Sequence, residues 1–133
     1  MRITNLVRSM VLALLLAMLA AACSGSSSSS TGSPAASADS QDVSGQTTAT
    51  IGANNFFFSP STLVGTAGQT LTITVKNEGA APHSFTIDGQ SVDVTVQPGT
   101  QQDVTVTFPT SGSVEFYCRF HVATGMKGEL TVG

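Results

Sequence analysis

Residues 70–77 read TLTITVKN, and the alternation in that stretch decides the fold. Leu71, Ile73 and Val75 fall on one side of an extended chain, and three threonines fall on the other. A period of two marks a strand with one buried face. QQDVTVTF, residues 101–108, repeats the pattern with Val104, Val106 and Phe108 inward. Outward from these two, turn-forming pairs recur at short intervals: Asn54-Asn55, Ser59-Pro60, Ala67-Gly68, Glu78-Gly79, Asp88-Gly89, Pro98-Gly99 and Ser111-Gly112. They predict strands over 48–53, 62–65, 69–77, 83–87, 92–96, 101–108, 113–119 and 127–132, with no helix of useful length. Short strands with regular turns point to an all-β fold, an antiparallel Greek-key β-sandwich of seven to eight strands.

Composition narrows the function. The chain has 133 residues, no Trp, 10% charged residues and a net charge of −3, so no basic patch invites nucleic acid. Residues 1–22 are read as a signal peptide. Arg2 and Arg8 supply a positive start, and Val11 to Ala22 form an uncharged apolar run. That run is shorter than the about 20 residues a membrane-spanning helix needs. Cys23 follows small residues and precedes SGSSSSSTGSPAAS. This arrangement resembles a bacterial lipoprotein signal, which implies that Cys23 is lipidated. Ordinary cleavage after Ala22, releasing a free protein, is the other reading. Residues 23–47 are expected to be the anchor and a disordered Ser-rich linker, too poor in apolar side chains to offset the entropy of ordering. The folded domain is expected at 48–133.

Within that domain, CRFHVATGM, Cys118 to Met126, gathers a cysteine, a histidine and a methionine. By strand parity His83 shares a face with Phe85 and Ile87. Cys118 shares one with Val114 and Phe116, and Met126 one with Leu130 and Val132. His121 lies in the loop after Cys118. The four side chains are therefore expected at one end of the sandwich. One thiolate and two imidazoles in a plane, with a weak axial thioether, form the donor set of blue-copper electron-transfer sites. A structural zinc site is a poorer match, because a thioether is a poor zinc ligand and such sites prefer more Cys or His. A Cys23–Cys118 disulfide would pair the first residue of the Ser-rich tract with the centre of the donor set. An inert core cysteine and a filler methionine would explain two of the four residues and leave the histidines aside.

The pattern His83 … Cys118-x-x-His121-x-x-x-x-Met126 resembles the cupredoxins, with the short ligand loop of plastocyanins and pseudoazurins. FSPSTLVGTAGQTLTITVKNEGAAPHSFTID and GSVEFYCRFHVATGMKGELTV carry the similarity. The resemblance implies one type 1 copper ion, with His83, Cys118 and His121 equatorial and Met126 axial. Where the family often has Asn after the first histidine, Ser84 stands here, expected near the Cys118 sulfur. Arg119-Phe120 occupies positions where Pro is often found.

The implied function is a one-electron carrier, not an enzyme, cycling Cu(II)/Cu(I). The implied setting is exported and extracytoplasmic, with a monomer held to the outer face of a membrane through its lipid anchor. Redox proteins are expected to dock near His121, where Phe120, Val122 and Ala123 offer a small apolar patch. The dispersed acidic residues Glu78, Asp88, Asp93, Asp103, Glu115 and Glu129 form no continuous docking patch. The alternative is an extracytoplasmic copper chaperone or copper-handling lipoprotein. Surplus Met or His in the domain would favour that reading, and neither occurs.

Overall fold

Leu71, Ile73 and Val75 are fully buried, and each neighbouring residue on the strand is at least partly open. Across the pair, Leu71 faces Val106 and Ile73 faces Val104, so the two alternating stretches fix each other's register. The computed structural model describes residues 39–133. Ten strands lie within them: β1 Ser40–Asp42, β2 Thr48–Asn54, β3 Phe57–Ser59, β4 Thr62–Gly65, β5 Thr70–Asn77, β6 His83–Ile87, β7 Val92–Val96, β8 Gln101–Thr107, β9 Ser113–Tyr117 and β10 Lys127–Val132. A single 3-10 turn, Val122–Thr124, interrupts the loop before β10.

The strands form two sheets, of order β1-β4-β10-β9-β6-β7 and β3-β2-β5-β8. Their inner faces close on one core. Phe58 from the smaller sheet meets Phe85 and Phe116 from the larger at centroid distances of 5.9 and 5.2 Å, and Phe85 stacks on Phe116 at 4.8 Å. Edge-on and offset contacts of this kind are the preferred aromatic arrangements.

The sandwich is the one the alternation predicts, with two differences. Pairing is mixed: β1–β4, β4–β10 and β2–β5 run parallel, and the other pairs are antiparallel. Alternation reports which face is buried and not which way a neighbour runs, and a chain that crosses between sheets can return beside a strand of its own direction. Two strands also exceed the expected set. β3 is only three residues long, squeezed between the Asn55 turn and Pro60. β1 lies inside the segment expected to be linker, and Val43 just after it is fully buried. Strand pairing thus extends ahead of Thr48, because backbone pairing with β4 needs no apolar side chains. The expected signal peptide and Cys23 lie outside the described residues.

Candidate metal centre

His83 opens β6, and Cys118 follows the last residue of β9. The two strands pair, Thr86 opposite Tyr117, which brings residues from distant parts of the sequence to one pole of the sandwich. His83, Cys118 and Met126 are fully buried there, as their strand parity predicts. Backbone bonds close the loop between them. The His121 N–H donates to the Cys118 carbonyl at 3.0 Å, and the Cys118 N–H donates to the Met126 carbonyl at 3.0 Å. Gly125, at φ 88°, turns the chain back after the 3-10 turn, a conformation that favours glycine. The spacing Cys-x-x-His-x-x-x-x-Met is therefore the length of one tight turn, one 3-10 turn and one left-handed return.

The donor atoms of His83, Cys118 and His121 all lie within 4.8 Å of one another. Cys118 Sγ stands 3.4 Å from His121 Nδ1 and 3.9 Å from His83 Nδ1. Metal–nitrogen and metal–sulfur bonds of about 2.0–2.3 Å would span such gaps from a common centre. A thiol with two imidazoles is the donor chemistry of a soft or borderline cation, and the residues present fit copper.

The surroundings are ordered to match. The Ser84 N–H donates to Cys118 Sγ at 3.3 Å, and the Ser84 hydroxyl accepts from the Arg119 N–H at 2.8 Å. Ser84 thus ties the His83 and Cys118 segments together beside the sulfur, where its sequence position predicts it. Burial lowers the pKa of His83 below the ordinary imidazole value, and the neighbouring His121 adds to the effect.

His121 is only part-buried, with Phe120 and Val122 exposed beside it. Arg119 places its guanidinium 4.7 Å over the Phe120 ring. The expected ring of apolar residues is present, and it has a further member. Phe56, 46% exposed, lies against His121 with centroids 4.4 Å apart. Asn55, the residue before it, has Oδ1 3.2 Å from His83 Nε2. Reading the sequence as strands and turns left Asn55 as a turn signal and Phe56 unassigned. The clue available was the run Phe56-Phe57-Phe58, which holds three of the seven phenylalanines directly after a turn.

The cupredoxin-like domain model matches residues 11–132. Plastocyanin A/B of Petroselinum crispum is 38% identical over 85 residues, which cover 56% of this chain and 86% of that protein. Among solved structures, dithionite-reduced auracyanin of the photosynthetic bacterium Roseiflexus castenholzii superposes with a TM-score of 0.54 at 25% identity, covering 66% of this chain and 98% of its own. Auracyanin A, a "blue" copper protein of Chloroflexus aurantiacus, gives 0.52 at 22% identity over 65% and 98%, a likeness of fold.

Proposed function

The chain belongs to the cupredoxin-like domain family, and from that premise we propose that it is a one-electron carrier using a single type 1 copper ion, which His83, Cys118, His121 and Met126 would hold. The observation that carries this reading is the convergence of one thiol and two imidazole nitrogens within 4.8 Å at a buried pole. The family is typically one of non-catalytic electron carriers. When bound, copper supplies the Cu(II)/Cu(I) couple and an intense thiolate-to-metal colour.

The chain's own residues do the rest. Cys118, His83 and Met126 are shut away from water, and a fixed hydrogen bond from Ser84 holds the sulfur. His121 reaches the surface among Phe56, Phe120 and Val122, which suits brief docking of a redox partner through a small apolar face. Both histidines belong to the cluster, and Met126 is the one methionine of residues 39–133. That leaves no surplus soft ligands for a copper-delivery role. The positive start, apolar run and Cys23 support export and a lipid tether at the outer face of a membrane.

The test is a copper titration of the full chain. One equivalent of Cu(II) is expected to give a strong blue band that reductant bleaches reversibly. Cys118→Ser abolishes the colour, because a hydroxyl does not replace the thiolate. Met126→Leu keeps the copper and raises the potential. A colourless copper-loaded wild type overturns the proposal.

A further inference from the structure

A neutral imidazole carries one proton, and its position decides which nitrogen can act as a donor to a metal. At His83 the two nitrogens meet different surroundings. Nδ1 faces the cluster, 3.9 Å from Cys118 Sγ. Nε2 faces the side chain of Asn55, 3.2 Å from Oδ1. A carboxamide oxygen only accepts, so this contact requires the proton on Nε2 and leaves the Nδ1 lone pair toward the cluster. The opposite amide orientation would press an NH2 group against Nε2, drive the proton to Nδ1 and remove His83 from the donor set.

Three segments are fitted to this contact. Asn55 comes from the turn between β2 and β3, 28 residues from His83. The loop before β6 passes close by at Gly79. A Cβ there would overlap Asn55 Oδ1 and lie 3.0 Å from His83 Nε2, so only glycine leaves room. That loop is itself held. The buried Asn77 side chain accepts from the Gly79 N–H at 2.9 Å and donates to the Ala81 and Val96 carbonyls at 2.8 Å each. The Glu78 N–H donates to the Ala53 carbonyl at 2.9 Å, tying the loop to β2. Partners of this kind, behind a ligating histidine, set ring orientation and tautomer.

We propose that Asn55 is the positioning residue of His83, its carboxamide oxygen holding the ring as the Nε2–H tautomer with Nδ1 preset toward Cys118, and that Gly79 is the gap that admits it. The proposal rests on His83 being a metal ligand, and the experiment separates the two. Long-range 15N–1H NMR of the metal-free full chain, at a pH where imidazoles are neutral, reads the tautomer directly. His83 in the wild type is expected as the Nε2–H form. Asn55→Leu removes the acceptor: the tautomer becomes mixed, and Cu(I) affinity, measured against a chromophoric Cu(I) chelator, falls roughly 10–100-fold. Asn55→Asp keeps an acceptor and retains the tautomer. Gly79→Ala pushes the carboxamide away and reproduces the Leu variant. A general loss of structure would not distinguish Asp from Leu. A wild-type His83 in the Nδ1–H form overturns the proposal, as does an Asn55→Leu protein whose affinity stays within about twofold of the wild type. If the Leu variant does not fold, the wild-type tautomer and the Gly79→Ala protein decide. A wild type with the Nε2–H tautomer that binds no copper leaves the clamp standing and removes the metal reading.

Discussion

At Tyr117 a single hydroxyl links the strand that leads to Cys118 with the turn after β6. It donates to Asp88 Oδ1 at 3.0 Å. That bond is the main reason its pKa is raised above 10.0, with burial and the charges of Asp88 and Glu115 adding to it. The chain has one Tyr and no Trp, so its ultraviolet titration reports this residue alone. The phenol is expected to ionise above the free-tyrosine value, and Asp88→Asn should bring the midpoint back toward it; an unchanged midpoint would remove the bond as the cause. His83 gives the opposite kind of shift. Its pKa in the metal-free fold is lowered, first by burial and then by His121. The unfolded chain, with imidazole near 6.5, therefore binds the proton more readily than the fold does. The stability this contributes is complete above that value and is lost as pH falls toward the lowered folded pKa. Metal-free protein should melt at lower temperature at pH 5.5 than at pH 7, and His83→Gln should flatten that dependence; parallel curves for the two would refute it. The convergence of His83 and Cys118 and the burial of Met126 were legible in the sequence because all three keep the parity of the core face of their strands. Asn55 and Phe56 were not, because an exposed turn carries no periodicity to say what it leans on.

The elements that alternate strongly could be read from the sequence, and those held by backbone alone could not. β5 and β8 declare themselves by their buried faces. β1, Ser40–Asp42, has no apolar residue, and only the pairing with β4 and the burial of Val43 reveal it. Val43 is fixed from both sides: its N–H donates to the Val64 carbonyl at 2.8 Å, and its carbonyl accepts from Gln69 Nε2 at 2.7 Å. Val43→Ala is expected to cost on the order of 1.5–3 kcal/mol in denaturant unfolding, the scale of fully burying a valine. A cost near zero would mean that the fold effectively begins at Thr48. Strand direction was illegible for a related reason. Side-chain alternation is the same in parallel and antiparallel neighbours, so the three parallel pairs appear only when the sheets are assembled.

At the scale of the molecule, the charges of the described residues are scattered, and several are locally answered. Asp93 pairs with Arg119, Glu115 with Lys127 at 3.0 Å, and Asp103 accepts from Thr74 Oγ1 at 2.7 Å. Against that background, Phe56, Phe120 and Val122 leave an exposed apolar face around His121. Cys23→Ser should move a still-blue protein from washed membranes to the soluble fraction; retention on the membrane would count against the lipid anchor. The 16 residues Ser24–Asp39 could reach at most about 60 Å at full extension. The parallel ladder of β1, β4 and β10 has a bearing here. β10 runs away from Met126, and β4 and β1 run with it, Ser40 level with Thr62 and Thr62 with Glu129. The first strand therefore enters the fold from the pole that carries the His83, Cys118 and His121 cluster. Depth measurements on vesicles, comparing bound Cu(II) with a spin label at position 112, would read whether a tether at Cys23 turns that pole toward the bilayer.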